Sequence, residues 1–252
     1  MKHVETWHPT KYVFDKKGQL RASRNSCEVG IGSRLVADLT AQTYQNKFAR
    51  HFSPSQRRGR LLDLGCGQVP LYLLYKDFVD EVVCVDWENS LHRNEHLDHS
   101  CDLTNPLPFD GDTYDVIILS DVLEHIPNPQ NLANEMDRVL KPDGILFLNV
   151  PFMYLVHEKP FDYYRYTEFA LRMLFEKSGL IIETIEAIGG LPEILADFSA
   201  KLCAHFRCGK IPAILIQKVA AMFVETVVGR KISQSTSSTF PLAYFLIARK
   251  PR

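Results

Sequence analysis

The chain has 252 residues, of which 46% are hydrophobic, 23% charged and 11% aromatic, a composition typical of a globular protein. Its formal net charge is -1 at pH 7, so no global positive field indicates nucleic acid as a partner. Met1–Glu5 lacks the apolar stretch of a signal peptide, and the six cysteines form no C-x-x-C pair. These features predict a cytoplasmic protein with reduced thiols.

Residues 1–59 precede the first clear strand and are predicted to form a helical extension. Within it, Arg34–Phe52 places Leu35, Leu39 and Tyr44 on one side, the period of an amphipathic helix. Two interpretations are open. The extension either packs on the domain that follows or acts as a lid that excludes water from an active site.

From residue 60 to residue 252, apolar strands alternate with helices. The predicted strands are Leu61–Leu64, Glu81–Asp86, Ser100–Leu103, Tyr114–Ser120, Ile145–Val150, Leu180–Ile185 and Phe240–Ala248. The predicted helices between them are Leu71–Phe78, Asn128–Leu140 and Thr167–Ser178. Strands that are apolar on both faces and alternate with helices predict an α/β domain whose mostly parallel sheet is covered on both faces. A helical insertion, 189–238, interrupts the alternation before the last strand.

The turn after the first of these strands contains two glycines around one small residue: Gly65, Cys66 and Gly67. A Cβ atom at either glycine would block the sharp turn or the close approach of a ligand to the backbone. The dinucleotide fingerprint needs a third glycine where this chain has Pro70, which argues against NAD or FAD. A ligand without phosphates, held by its ribose and a charged amino-acid end, fits this turn better.

Acidic residues stand at the ends of three successive strands: Asp63, Asp86 and Asp102. The carboxyl ends of parallel strands meet at one edge of the sheet, where like charges repel unless a ligand uses them. Asp86 follows Asp63 by 23 positions, close to the offset of ~20 residues at which an acid binds ribose hydroxyls. The neighbouring Trp87 offers a flat face to an adenine ring.

These motifs, in this order and spacing, resemble those of the class I S-adenosylmethionine-dependent methyltransferases, in particular type 11-like members. The resemblance is carried by Leu62–Gly67, Val85–Asp86, Cys101–Leu103, Ser120–Ile126 and Lys141–Gly144. The third glycine that is frequent in the family is Val69 in this chain. The resemblance implies a Rossmann-like, seven-stranded, mostly parallel sheet with strand order 3-2-1-4-5-7-6 and an antiparallel last strand. It also implies S-adenosyl-L-methionine as the cofactor.

The resemblance further implies which residues bind the cofactor. Asp86 would bind both ribose hydroxyls, and Asp102 with the Leu103 amide would contact the adenine. Asp63 would face the ammonium end through water or backbone, and Ser120 would lie near the sulfonium. The full implied set is Asp63, Gly65, Cys66, Gly67, Asp86, Trp87, Asp102, Leu103 and Ser120.

The segment Pro151–Thr167 is rich in polar aromatic residues and follows the fifth strand directly, so we expect it to contact the methyl acceptor. It resembles loops of family members that modify sugars and other small polar acceptors. The sulfonium is already an activated leaving group, so a base is needed only if the acceptor must lose a proton. His157 is the first candidate for that base. His125 is the second, with a packing or cofactor-side role as its alternative. The predicted acceptor contacts are Tyr154, Tyr163 and Arg165.

A zinc site is the competing interpretation of another segment. His92–His96 has the H-x-x-E-H pattern of inverted zinc peptidases, with His99 and Cys101 nearby. The pattern is short enough to arise by chance, and it lies in a crossover of the predicted sheet. We therefore predict no metal.

Within the insertion, 201–231 contains six basic residues and one acid, Glu225, around a very apolar stretch, Ile211–Gly229. A membrane-spanning helix is not expected, because Lys218 and Glu225 would each cost ~2.5–3.5 kcal/mol near the bilayer centre. Two alternatives stay open: a hairpin packed on the sheet or in a homodimer, and an interfacial helix attracted to anionic lipid. The second would suit an acceptor carried on a lipid.

The sequence therefore predicts an S-adenosylmethionine-dependent methyltransferase acting on a small molecule or a lipid-linked glycan, at oxygen. It is expected in the cytoplasm, with peripheral membrane contact through 201–231 as an open alternative. A non-catalytic methyltransferase-like domain that binds the cofactor or a partner is the second hypothesis. A nucleic-acid methyltransferase is third, because Ser120–Leu123 replaces the Asn/Asp-Pro-Pro-aromatic sequence that often holds a planar amine.

Overall fold

The computed structural model describes residues 11–23, 30, 32–53, 58–88, 97–206 and 210–252. In chain order the strands are β1 Tyr12–Phe14, β2 Leu20–Ala22, β3 Arg58–Leu64, β4 Val79–Asp86, β5 His99–Ser100, β6 Tyr114–Ser120, β7 Leu140–Pro151, β8 Ile181–Ile188 and β9 Ala243–Arg249. The α-helices are α1 Arg34–His51, α2 Tyr72–Tyr75, α3 Pro129–Val139, α4 Glu168–Ser178, α5 Leu191–His205, α6 Lys210–Glu225 and α7 Val227–Thr236. A single 3₁₀ turn covers Leu123–His125.

These elements belong to two compact units. The first unit is formed by Ala49–Glu186 and Tyr244–Arg252, and the second by Thr10–Phe48 and Ala187–Ala243. Most of the predicted N-terminal extension therefore belongs to the same unit as the insertion, although the two are far apart in the sequence.

The seven-stranded sheet has the order β5-β4-β3-β6-β7-β9-β8. Numbered from β3, this is 3-2-1-4-5-7-6, which confirms the predicted order. The pairs β3–β4, β3–β6, β4–β5 and β6–β7 are all parallel. Lys250, next to the end of β9, donates its N–H to Gly144 O and accepts from Asp143 N–H near the start of β7, both at 3.0 Å. The end of β9 thus lies beside the start of β7, as an antiparallel last strand requires.

Apolar side chains on both faces of the central strands explain why the sheet forms. Leu61, Leu62 and Leu64 of β3 and the run from Val116 to Leu119 in β6 are fully buried. Burial of such side chains contributes about 1.5–3 kcal/mol each relative to leaving them in water. The predicted Rossmann-like α/β fold is confirmed.

Helix α4 shows how local sequence sets an element's ends. The Thr167 side chain caps its first turn by accepting from Ala170 N–H, and Gly179 follows its last turn with φ 100°. Leu171 and Phe175, one turn apart, are fully buried. The predicted helix Thr167–Ser178 is confirmed, with Thr167 as its cap.

Several predicted boundaries were wrong, among them the start of the last strand, which is Ala243 and not Phe240. The third strand, predicted at Ser100–Leu103, is only His99–Ser100, because the Asp102 carboxylate accepts from Thr104 N–H and turns the chain away. The helix predicted at Leu71–Phe78 is a single turn, because Val79 already pairs with Arg58 in the sheet. Lys141–Gly144, predicted as a turn before the fifth strand, lies inside β7, with Asp143 in a left-handed conformation (φ 63°).

In the second unit, β1 and β2 form an antiparallel hairpin, and α1 lies with the three helices of the insertion. Gln217 of α6 is buried; its amide oxygen accepts from Leu35 N–H (2.8 Å), and its amide nitrogen donates to Ala196 O (3.2 Å). One polar side chain thereby fixes α6 against α1 and α5. The described part of the insertion contains three helices: α5 and α6 pack against each other, and α6 and α7 meet at a 94° bend.

Glu135 in α3 provides a stability test that depends on pH. Its carboxylate accepts from Arg138 (Nη2–Oε2 2.7 Å) and from Leu107 N–H (2.7 Å). The arginine hydrogen bond lowers the pKa of Glu135 below its ordinary 4.5. The charged carboxylate therefore stabilises the fold above pH 4.5, and this contribution is lost as the pH falls below 4.5 through the lowered pKa.

We expect Glu135→Gln to reduce the free energy of unfolding at pH 7, and the difference from the wild type to shrink below pH 4.5. Urea denaturation at pH 7 and again below pH 4.5 measures this difference in the free energy of unfolding. Glu176→Gln is the matched control, because its pair with Arg172 is largely exposed and contributes little. An equal effect of Glu135→Gln at both pH values would show that charge is not the cause.

Candidate functional site

The turn after β3 is held against the end of β4. The N–H groups of Gly65 and Cys66 both donate to Val85 O, at 2.8 and 3.0 Å. Gly65 has φ 66° and Gly67 has φ 50°, a conformation that L side chains rarely adopt. A Cβ atom on Gly65 would overlap the Val122 side chain, which follows β6. Glycine is therefore required both by the backbone conformation and by the neighbouring loop.

Asp86, at the end of β4, is joined to this turn by its carboxylate. Oδ2 accepts from Gly67 N–H at 2.9 Å, and Oδ1 accepts from Trp87 N–H at 2.7 Å. A carboxylate offers about four acceptor positions, so it can accept these amides and ribose hydroxyls together. The structure thus brings Gly65, Gly67, Asp86 and Trp87 to one edge of the sheet, where the cofactor was predicted.

The side chains of the other predicted cofactor residues are buried or already hydrogen-bonded within the protein. Asp63 is buried, and its carboxylate accepts from the Tyr75 hydroxyl at 2.7 Å, so it faces the packing beneath the turn. A hydrogen bond with Cys84, together with burial, raises the pKa of Cys66, which is therefore a neutral thiol. Asp102 turns the backbone after β5, and Leu103 beside it is buried.

The end of β6 carries a polar group that the sequence did not single out. Ser120 lies opposite Asn149 of β7 in the sheet. The Ser120 hydroxyl donates to Asp121 Oδ2 (3.1 Å), and the Asn149 amide donates to Asp121 Oδ1 (2.8 Å). Asp121 adopts φ 56°. The predicted position of the sulfonium is thus bordered by a carboxylate as well as by Ser120.

Phe161 connects the cofactor edge to the predicted acceptor segment. Its ring packs edge-on against Trp87, with 5.6 Å between centroids and 88° between planes. Its backbone oxygen lies 2.9 Å from His125 Nδ1. Because a carbonyl oxygen only accepts, Nδ1 of His125 carries the proton and Nε2 has the free lone pair.

His157 is held in a comparable way. Its Nδ1 lies 3.3 Å from Leu155 O and 3.3 Å from Asp162 Oδ2, with the donor Arg165 Nη2 at 3.4 Å. Two acceptors at the shorter distance favour a proton on Nδ1, which leaves the lone pair on Nε2. Burial, followed by the nearby His125, lowers the pKa of His157.

Arg165, predicted to contact the acceptor, is bound within its own segment. Its guanidinium forms a bidentate pair with Asp162, at 2.6 and 2.8 Å. This hydrogen bonding lowers the pKa of Asp162 to about 2. Of the other predicted contacts, Tyr154 packs against the His157 ring at 5.3 Å, and Tyr163 is exposed.

Glu124 is the residue in this region that sequence reasoning missed. Its side chain is 0% exposed, and neither carboxylate oxygen has a hydrogen-bond partner among the described residues. Burial raises its pKa well above 4.5. The Nε2 atoms of His125 and His157 each lie 3.7 Å from Glu124 Oε1, and the two rings are 4.7 Å apart. The predicted pair of histidines is thus brought together around a buried carboxylate.

The H-x-x-E-H segment, His92–His96, lies outside the described residues. A cavity of about 570 Å³ in the second unit is lined by charged side chains such as Arg21, Asp38 and Arg230, and by no residue predicted to bind cofactor or acceptor.

Comparison with known proteins agrees with the geometry of the sheet edge. The family model of a methyltransferase domain matches residues 34–184, more than half of the chain. A ubiquinone biosynthesis O-methyltransferase of Parvibaculum lavamentivorans is 24% identical over 98 residues, which are 35% of this chain and 39% of that protein. The chain covers between 16% and 39% of the length of the first curated relatives that it matches.

Among solved structures, the [4+2]-cyclase SpnF aligns with a TM-score of 0.55 and 19% identity, over 84% of this chain and 82% of that one. Phosphoethanolamine N-methyltransferase 2 of Haemonchus contortus, in complex with S-adenosyl-L-methionine, aligns with a TM-score of 0.52 and 17% identity. That alignment covers 83% of this chain and 53% of that protein. At these identities the likeness shows the fold alone.

The placement of Asp86 predicts the effect of removing its carboxylate. We expect Asp86→Ala to weaken S-adenosylhomocysteine binding by ~1–3 kcal/mol, about 5–150-fold, because charge-assisted hydrogen bonds to the ribose are lost. Titration calorimetry measures the dissociation constant. Asp80→Ala, an exposed acid on the same strand, is the control. An unchanged constant in Asp86→Ala would mean that the ribose binds elsewhere.

Proposed function

The chain belongs to the methyltransferase domain family, whose cofactor is S-adenosyl-L-methionine, and from this premise we propose that it methylates an oxygen atom of a small molecule or of a lipid-linked glycan. The observation that carries this proposal is the group formed by Glu124, His125 and His157. Glu124 and His125 come just after Val122, which packs on Gly65. Phe161 links the group to Trp87, because its ring packs on Trp87 and its carbonyl accepts from His125.

Methyl transfer to a hydroxyl needs two things from the protein. The acceptor oxygen must lie in line with the methyl group, so that the new carbon–oxygen bond forms as the carbon–sulfur bond breaks and its electron pair stays on sulfur. The hydroxyl proton must also leave, which for an amine nucleophile is not required before attack. Groups that can accept or polarise the hydroxyl proton lie next to the cofactor edge. Their presence therefore favours an oxygen atom over a nitrogen atom as the methyl acceptor. The role of His157 as the base stays a prediction.

Further support comes from the end of β6 and from one relative. Ser120–Leu123 replaces the Asn/Asp-Pro-Pro-aromatic sequence that holds planar amines, and Asp121 bonds to Asn149. The similar Parvibaculum protein is an O-methyltransferase by name. A non-catalytic domain of the same family is the alternative, and it would bind the cofactor without turnover.

The purified chain, incubated with methyl-labelled S-adenosylmethionine, is expected to label small polyhydroxylated acceptors. Catechols and reduced quinones are suitable probes for free acceptors, and polyprenyl-linked sugars for lipid-linked ones. Asp86→Ala should reduce the rate at subsaturating cofactor, whereas His205→Gln, an exposed residue of α5, should not. Label found only on amines or on RNA would contradict the proposal. Cofactor binding without any labelled product would favour the non-catalytic alternative.

We also propose that the insertion brings the protein to a membrane surface. On α6 the exposed side chains include Ile211, Leu215, Val219 and Met222, at the spacing of one helix face, with Ile211 80% exposed. The opposite face carries the buried Gln217, so the apolar stripe of this helix points outward. Basic side chains that could bind anionic lipid lie on α6 and on the neighbouring α7: Lys210, Lys218, Arg230 and Lys231.

Among the described residues, no single helix is long and apolar enough to cross a bilayer, although α6 and α7 meet the criteria of length and composition as a bent pair. An interfacial position requires no crossing. It leaves Lys218, which lies within the apolar stripe, able to extend to the headgroups.

Co-sedimentation with vesicles that contain anionic lipid is expected for the wild type, and it should weaken strongly in Leu215→Ser/Met222→Ser. Phe169→Ser, which changes a 73% exposed side chain of the first unit, should bind as the wild type does. Equal co-sedimentation of all three proteins would contradict the membrane contact. If the wild type is a dimer and the double variant is a monomer, the stripe is instead a dimer interface.

A further inference from the structure

We infer that Glu124, His125 and His157 form a binding site for one divalent transition-metal ion. This site was not expected from the sequence, where metal was considered only at His92–His96. The inference stands on the geometry of three side chains, and its consequence for catalysis rests on the proposed O-methylation.

The three side chains present their ligand atoms to one point. One ligand atom from each of the three residues lies within 4.8 Å of the other two. The Nε2 atoms of His125 and His157 are each 3.7 Å from Glu124 Oε1. Ligand atoms bound at the usual about 2.0–2.2 Å from one such ion lie roughly 3–3.5 Å apart. Small side-chain rotations would close the difference.

Burial and missing partners point independently to a ligand. Both oxygens of Glu124 and the Nε2 of His125 are buried without a hydrogen-bond partner in the part of the chain that the structure describes. A fully buried carboxylate without a partner costs several kcal/mol in its charged form, so such groups are normally paired or bound to a metal. Glu124 Oε1 instead lies 3.7 Å from each of two imidazole Nε2 atoms, the nitrogens that carry the lone pairs of their rings.

The surroundings of both histidines fit metal ligation. A histidine that binds a metal donates its other N–H to a carbonyl or a carboxylate, which fixes the ring and its tautomer. His125 donates Nδ1–H to Phe161 O, and His157 has Leu155 O and Asp162 Oδ2 beside Nδ1. In each ring the nitrogen that is left for a metal is the one that faces Glu124.

The ligand set selects the class of ion. Two neutral imidazoles with one carboxylate suit Zn²⁺, Mn²⁺, Fe²⁺ or Co²⁺, whereas Mg²⁺ and Ca²⁺ prefer sites made of oxygen atoms. Three protein ligands leave a coordination position open. An acceptor hydroxyl in that position would lose its proton to solvent water near neutral pH, because the ion lowers the pKa of a bound oxygen. In this arrangement His125 and His157 are ligands, and neither is the general base.

Co²⁺ is a suitable probe, because its visible absorption reports imidazole and carboxylate ligation. The EDTA-treated chain is expected to bind one equivalent, with Zn²⁺ as competitor. The ligand variants Glu124→Gln and His157→Gln should lose this absorption, whereas His205→Gln on α5 should retain it. Asp162→Asn, which changes a partner of His157 and no ligand, should weaken binding ~10–100-fold.

The midpoint of thermal unfolding distinguishes metal binding by Glu124 from a merely structural role. Without metal, Glu124→Gln should keep or raise the midpoint of the wild type, because glutamine has the shape of the buried carboxyl group and never carries its charge. Added Co²⁺ should raise the midpoint of the wild type only. Absence of Co²⁺ binding, or equal binding by the ligand variants, overturns the inference.

The two proposals fail separately. Methyl transfer to a hydroxyl that persists in EDTA, by a chain that binds no Co²⁺, overturns the metal site and leaves the proposed function intact. Stoichiometric Co²⁺ binding by a chain that labels no hydroxyl acceptor overturns the function and leaves the metal site intact.

Discussion

The close packing of Val122 on Gly65 is the contact on which the functional edge of this protein depends. It holds the loop after β6 against the turn after β3, with no space between them for a Cβ atom. Because Glu124 and His125 lie only two and three residues after Val122, the same contact places them next to the cofactor turn. Glycine at position 65 therefore serves both the turn conformation and the position of the polar group.

The second constraint is the way in which the segment after β7 returns to this edge. The Phe161 ring rests on Trp87 while its carbonyl holds the His125 ring. The N–H groups of Tyr163 and Tyr164 donate to Glu124 O, and Asp162 lies beside His157. One irregular segment thus connects the predicted adenine side with the predicted acceptor side. A buried, unpaired carboxylate is kept at its centre, where a functional reason for the cost is expected.

The fold could be predicted because most of its elements are specified by residues close together in the sequence. Apolar strands, glycine turns and helix caps such as Thr167 and Gly179 have recognisable spacings, and the strand order followed from a family resemblance. Asp86 and Gly65 could be placed for the same reason. Boundaries failed where tertiary pairing decided them, as at β5, which ends when Asp102 turns the chain.

The acceptor side could be predicted only in part. Its residue types pointed to His125 and His157, but nothing periodic shows that Glu124 is buried between them, since it lies in a short 3₁₀ turn. Arg165 was expected to face the acceptor, and its pairing with Asp162 three residues earlier has no signal in an irregular segment. Likewise, the apolar stripe of α6 is visible in the sequence, but which face turns outward is decided by Gln217 and its partners on α1 and α5.

The most direct test is a crystal structure of the chain with S-adenosylhomocysteine bound. The account predicts the ribose on the Asp86 carboxylate, the adenine beside Trp87, and the sulfur between the Gly65 turn and the side of the edge that carries Glu124 and His157. A ligand bound elsewhere, or that edge filled by neighbouring side chains in the complex, would contradict it.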